Sequence, residues 1–192
     1  MTTISYLKNF IRDRNVASVT PSSLTLVKRV CTRIDFDQDN IIVEYGPGNG
    51  VFTRYILERS TPNTKLILIE LNTNFAKALA KIQDTRLHVL HDSAENVTDI
   101  LQDFKISEVD YFLSGIPFSF LGRKRKDALL AASFALLKPE GKFLAYQTSN
   151  HLKEPLQKFF PHVSVQFEFR NVPPMCLYEA CKESNPVLIS SQ

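Results

Sequence analysis

Two short stretches carry the residue types and spacing that can do chemistry. An apolar run at 41–45 contains Glu44 and leads into Gly46, Gly48 and Gly50, glycines that alternate with other residues. A second apolar run, 66–70, ends in Glu70, 20 positions after Gly50. A buried parallel strand feeding such glycines permits a tight turn, close approach of a ligand and close packing of the next helix. An acid at the tip of the neighbouring strand can accept both hydroxyls of a ribose. The pattern is that of a pocket for a nucleoside; glycines used only to pack a strand-turn-helix corner are the alternative.

Spacing and charge narrow the ligand. A pyrophosphate settles on bare amides in a G-x-G-x-x-G turn, whereas here the third glycine comes one residue early and Val51 occupies its place. Glu44 would repel a diphosphate but suits a ligand carrying an ammonium and a sulfonium, and S-adenosylmethionine carries both. The stretch resembles motif I of the class I methyltransferases. Asp92, after the third apolar run, can accept from the exocyclic amine of adenine or merely cap the helix that follows. The expected cofactor contacts are Glu44, Gly46, Gly48, Gly50, Glu70, Leu71, Asp92, Ser93, Ala94 and Ser114.

Ser114, Gly115, Ile116, Pro117 and Phe118 follow the fourth apolar run, where a methyl acceptor should meet the cofactor. Gly115 and Pro117 bend the chain so that backbone carbonyls can face the pocket, with Phe118 and Phe120 as apolar walls. The same residues would also make a plain Gly-Pro turn with its aromatics in the core. Candidate proton acceptors are the Ser114 hydroxyl and the carbonyls of Ser114, Gly115 and Ile116, then Tyr146 and Tyr178, each tyrosine equally a natural core or edge residue. Arg123 opens a basic run, 123–126, that can grip phosphate or form a solvated face.

A sheet must position these groups. Apolar runs recur at 41–45, 66–70, 87–90, 109–113 and 142–147, separated by helical spacing over 51–58, 75–82 and 128–137. Strand alternating with helix implies a parallel sheet covered on both faces. Segments 163–169 and 176–181 read as a closing antiparallel pair. The expected architecture is therefore α/β: a Rossmann-like, seven-stranded, mostly parallel sheet with helices on both faces, a C-terminal antiparallel strand pair and an N-terminal amphipathic helix ahead of it. Residues 3–14 place Ile4, Leu7, Phe10 and Ile11 on one face of that helix, which can lie on an anionic membrane or pack as a lid. Thr20-Pro21 reads as the start of a further helix through Leu24, Val27 and Val30. The expected division is 1–20 for the amphipathic helix and lid segment and 21–192 for the catalytic domain.

With 192 residues, of which 44% are hydrophobic, the chain suits one domain with a substantial core. No apolar run approaches the roughly 18 residues that span a bilayer, and the first residues lack a signal-peptide core. The expected location is cytoplasmic, peripheral at the inner membrane face, as a monomer. Cys31, Cys176 and Cys181 form no metal pattern: the last two, five apart in a strand, face opposite sides, so no metal is expected. A net charge of +3 is compatible with anionic lipid or nucleic acid and compels neither.

Phe10-Ile11-Arg12 with Pro21-Ser22-Ser23, the stretch Glu44 to Thr53, Ser114-Gly115-Ile116-Pro117-Phe118 and Asn171-Val172-Pro173-Pro174 together resemble the bacterial phospholipid N-methyltransferases over nearly the whole chain. The resemblance implies methylation of the phosphatidylethanolamine amine with S-adenosylmethionine, on one Rossmann-like domain attached peripherally through residues 3–14. Pro117, Phe118, Arg123, Arg170 and Asn171 would then contact the lipid. The ribosomal RNA adenine dimethyltransferases share the Glu-x-Gly-Pro-Gly stretch and the Ile-Glu acid. Their post-strand motif begins with Asn, however, and Ser114 stands there in this chain, unable to present an amide donor and a carbonyl acceptor together. The alternatives carried forward are an RNA adenine or small-molecule N-methyltransferase, with nucleic acid not the expected partner, and a non-catalytic cofactor-binding peripheral protein.

Overall fold

Strands buried on both faces must be apolar nearly throughout, and the central runs of this chain meet that condition. The computed structural model describes residues 24–182. In chain order the elements are α1 (Leu24–Cys31), β1 (Ile41–Tyr45), α2 (Val51–Leu57), β2 (Lys65–Ile69), α3 (Thr73–Leu79) and β3 (Leu87–Leu90). A 3-10 turn, Ala94–Asn96, runs into α4 (Val97–Asp103), followed by β4 (Val109–Ser114) and a second 3-10 turn, Phe118–Phe120. The remainder is α5 (Arg123–Leu136), β5 (Leu137–Gln147), α6 (Lys153–Gln157), β6 (His162–Glu168) and β7 (Met175–Cys181).

The seven strands form one sheet in the order β3-β2-β1-β4-β5-β7-β6. β3, β2, β1, β4 and β5 are mutually parallel. β7 runs antiparallel between β5 and β6, which is the expected closing pair. One face packs Phe52 and Ile56 of α2, Leu79 of α3 and Val27 and Val30 of α1 against Ile42, Leu66 and Leu144. The other packs Val97 and Leu101 of α4, Leu129 and Leu130 of α5 and Leu156 of α6 against Val43, Phe112 and Phe143. The sheet thus has three helices on each side, and the strand order reverses between β1 and β4.

Two element boundaries differ from the periodicity. α5 starts at Arg123 rather than 128, because its first turn carries the basic run and apolar spacing begins only where the helix reaches the core. β5 starts at Leu137, which pairs with Val109 before the register resumes at Tyr111 and Lys142 across an irregular segment. Within α1, Val27 and Val30 are buried with Leu26 and Cys31, while Leu24 is exposed. The helix expected over 3–14, the Thr20-Pro21 start and the boundary at residue 20 lie outside the described residues. Cys31, Cys176 and Cys181 are free thiols, all pushed up by burial.

α1 is fixed to the far edge of the sheet by charge. Arg29 Nη1 donates to Glu168 Oε2 at 2.9 Å, and Arg33 Nε donates to Glu179 Oε2 at 3.1 Å. Arg170 also donates to Glu168, so two guanidiniums hold this buried carboxyl down at about 2.

Gly50 caps α2 at φ 75, where a Cβ would meet Leu79 Cδ2 of α3 at 2.5 Å. Leu79 is itself buried and has little room to retreat. Gly50→Ala should cost about 2–5 kcal/mol, the sum of ~1–2 for a left-handed residue with a side chain and ~1–3 for an overpacked contact. Urea unfolding checks it: an unchanged midpoint would contradict this packing role.

Candidate active site

The crevice opens where the sheet's ladder stops. Gly46 N–H donates to Ile69 O at 3.0 Å and Gly115 N–H to Tyr45 O at 2.9 Å. Beyond these bonds the chain after β1 turns to α2 on one face and the chain after β4 turns to α5 on the other. Open α/β sheets bind ligands at such a reversal, outside the carboxyl ends of the strands. The cleft between the loops holds about 270 Å³.

Two buried acids control its electrostatics. Glu44 is 1% exposed; its Oε2 accepts from Thr53 Oγ1 at 2.7 Å, and its Oε1 has no partner among the described residues. Burial raises its carboxyl to about 7, a rise the Thr53 bond opposes and the nearby charge of Glu70 reinforces. Glu70 is 5% exposed and also raised by burial, although the Asn72 and Gly48 amides donate to it at 2.7 and 3.0 Å. Gly48, whose amide donates to Glu70, sits at φ 57, and a Cβ there would meet no described atom within 4 Å. Bare backbone next to Glu70, with a second buried acid behind it, fits a cationic nucleoside, since a positive ligand favours the ionised form of acids that burial has raised. It does not fit a diphosphate.

The expected cofactor residues separate into two layers. Gly46, Gly48, Glu70, Leu71, Asp92, Ser93 and Ala94 line the cleft. Glu44, Gly50 and Ser114 are not among the lining residues: Glu44 and Ser114 are buried behind it, and Gly50 packs against α3. Asp92 Oδ1 accepts from Ser93 N–H at 2.6 Å and Asn96 Nδ2 at 2.8 Å, so it braces the 3-10 turn while facing the cleft.

On the acceptor side, Gly115, Ile116, Pro117 and Tyr146 line the cleft. A Cβ on Gly115 would lie 2.5 Å from the Tyr146 hydroxyl and 3.0 Å from Gly46 O, so only glycine fits there. Tyr146 stacks on Phe52 at 4.5 Å between centroids. The Ser114 hydroxyl points inward and accepts from Ile116 N–H at 3.4 Å, which removes it from the surface a substrate could touch. Phe118 is a core residue rather than a wall. Tyr178 is buried elsewhere and donates to Ser149 O at 2.7 Å. Arg170 is engaged by Glu168, and Asn171 donates to Pro173 O at 2.9 Å, so both brace the β6–β7 turn.

Arg123 is exposed and does not line the cleft; Arg125 does, joined to Glu95 by two hydrogen bonds, Nε to Oε1 at 2.6 Å and Nη2 to Oε2. Two residues along a helix rotate the side chain by about 200°, which explains the exchange. Sequence reasoning also missed Phe75 and Asn72, which line the cleft. Asn72 had a readable signal, since it caps α3 through Asn74 and Phe75 directly after the acid.

Comparisons with known proteins agree with this geometry. The family model of ribosomal RNA adenine dimethylase matches residues 2–113. An ornithine lipid N-methyltransferase of Singulisphaera acidiphila is 28% identical over 174 residues, covering 89% of this chain and 91% of that protein. A ribosomal RNA small subunit methyltransferase A of Mycoplasma mycoides subsp. mycoides is 29% identical over 110 residues, covering 55% of this chain and 34% of that protein. By fold, the chain is similar to 1,6-didemethyltoxoflavin-N1-methyltransferase of Burkholderia thailandensis, solved with S-adenosylhomocysteine, at TM-score 0.68 and 15% identity over 95% of this chain and 87% of that one.

The raised Glu44 carboxyl has a signed consequence. Between its ordinary 4.5 and its folded value of about 7 the folded chain holds more protons than the unfolded chain, so its contribution to stability is lost as pH rises through that window. Glu44→Gln should therefore raise the Tm of the ligand-free protein at neutral pH, with an advantage over wild type that shrinks as pH falls from about 7 to 4.5 and stays level below that. Thermal melts across pH decide it, and parallel curves for the two proteins would contradict it.

Proposed function

The chain belongs to the ribosomal RNA adenine dimethylase family of S-adenosylmethionine-dependent methyltransferases, and on that premise we propose that it methylates the primary amine of an aminolipid, phosphatidylethanolamine or an amino-acid lipid, at a membrane surface. The observation that carries this reading is the acceptor loop at 114–118. Toward the cleft it offers backbone and apolar groups and no side-chain amide with which to read a nucleobase edge. The relative that matches along 91% of its own length is named for an ornithine lipid. No helix among the described residues is long and apolar enough to cross a membrane. We assign residues 1–20 to peripheral attachment at the cytoplasmic face and 21–192 to the catalytic domain.

When bound, the cofactor supplies an electrophilic methyl on a sulfonium. In this reading Glu70 would hold its ribose hydroxyls, Asp92 would accept from its adenine amine, and Glu44, buried behind the glycine loop, would favour its positive charge. An alkylamine with a free pKa of ~10.4 must give up about 5 kcal/mol to be neutral at pH 7. Ile116, Phe52 and Tyr146 line the acceptor end of the cleft, and desolvation by such groups lowers an amine's pKa. The carbonyls of Gly115 and Ile116 and the Tyr146 hydroxyl are the groups placed to orient an N–H. Alignment can contribute up to ~7–11 kcal/mol, more than deprotonation costs, so a strong base is not required.

A second reading, transfer to an RNA adenine, is favoured by the family model and the Mycoplasma relative. Incubation with labelled cofactor and either aminolipid vesicles or total RNA separates the two. Label entering the lipid fraction is expected; label confined to RNA overturns the lipid proposal. Glu70→Ala should weaken S-adenosylhomocysteine binding by roughly 10- to 100-fold, as expected for lost hydrogen bonds to a charged acceptor. Calorimetry measures that loss directly.

A further inference from the structure

We propose that Gln147 is a positioning residue for the acceptor loop. It closes β5, is 6% exposed, and spends both ends of its amide on the loop after β4. Its Nε2 donates to Ile116 O, and its Oε1 accepts from Phe118 N–H at 3.2 Å. The two bonded groups flank Pro117, which has no N–H to fix the turn from within. The local bonds, Ile116 N–H to the Ser114 hydroxyl at 3.4 Å and Phe120 N–H to Pro117 O at 3.1 Å, leave the Ile116 carbonyl and the Phe118 N–H to Gln147.

Neighbouring strand residues point to opposite faces. Tyr146 therefore braces the loop from the other side, with its hydroxyl against Gly115 and its ring on Phe52. Gln147 fixes the direction of the Ile116 carbonyl, which keeps a second lone pair for a further donor. Resting on the proposed transfer to an amine, the inference assigns that lone pair to the acceptor's N–H. Only a neutral side chain that donates and accepts at once can hold both loop groups, and at this length glutamine does so.

The test uses the full chain with Gln147→Met and Gln147→Glu. Gln147→Met keeps the shape and loses both bonds. Its kcat should fall roughly 10- to 100-fold, the scale of an ångström-sized misplacement, while S-adenosylhomocysteine affinity by calorimetry stays unchanged. Gln147→Glu supplies an internal rescue: protonated, it donates to Ile116 O and accepts from Phe118 N–H, whereas ionised it has nothing to donate. Its activity relative to wild type should rise as pH is lowered. A ratio flat with pH, an undiminished kcat in Gln147→Met, or a cofactor affinity that falls in step with kcat overturns the proposal. Hydrogen exchange at the Phe118 amide, faster in Gln147→Met, reports the loop clamp without any turnover. If wild type methylates no aminolipid while this exchange difference persists, the lipid reading fails and the clamp stands; equal exchange removes the clamp itself.

Discussion

Burying two carboxylates at one sheet edge is the constraint from which the rest of this site follows. A charged group removed from water must be paired or neutralised, and here the chain supplies partial compensation only. Thr53 serves one oxygen of Glu44, and the Gly48 and Asn72 amides serve Glu70. The remainder appears as raised carboxyl pKa values and one orphaned oxygen. A hydrogen-bonded loop with side chains could have completed the shell, but it would also have filled the space above Gly48. The ligand-free protein therefore holds acids beside the crevice whose ionised form burial disfavours and a cationic ligand would favour.

The topology then divides the labour. Everything that answers to the nucleoside comes from β1, β2, β3 and their following turns, which form the half of the chain that the family model spans up to residue 113. On the proposed reading, what would face an acceptor comes mainly from the ends of β4 and β5, with Phe52 of α2 beside them. The reversal of strand order between β1 and β4 puts the two sets of loops on opposite sides of one crevice. The loop at 114–118 and the glycine turn meet above the ends of β1 and β4, where Gly115 N–H donates to Tyr45 O. Gly46 lies beneath Ile116 and Gly115 there.

What was legible in the sequence was what obeys local periodicity. The parallel strands announced themselves because both of their faces are buried, and the glycine spacing and the acid after β2 could be read because each sits at a strand end. Ser114 was misjudged although a signal existed. Phe112 and Ser114 lie on the same side of β4 by the two-residue period, so a strand that buries Phe112 turns the Ser114 hydroxyl into the core as well. Arg123 was favoured over Arg125 because the helix start was unknown, and facing residues depend on that phase. Gln147 carried no signal at all. Its partners lie 29 and 31 positions away, and only the assembled sheet brings them together.

The same distinction bears on which acceptor the crevice suits. An adenine amine is weakly basic, and its ring presents fixed donors and acceptors; a site for it must match that edge with a side-chain amide and must give the ring a flat surface. An alkylamine has no edge to read. Its obstacle is a proton, and the remedy is a dry pocket in which its charged form is disfavoured next to another cation. On the proposed reading, the loop answers to the second specification. Glycine at 115 brings the backbone close, Ser114 is turned away, Ile116 supplies both an apolar surface and a carbonyl, and the orienting amide of Gln147 is spent on the protein itself. On the proposed reading, the lack of an obvious base at this acceptor loop is a consequence of how the amine is activated.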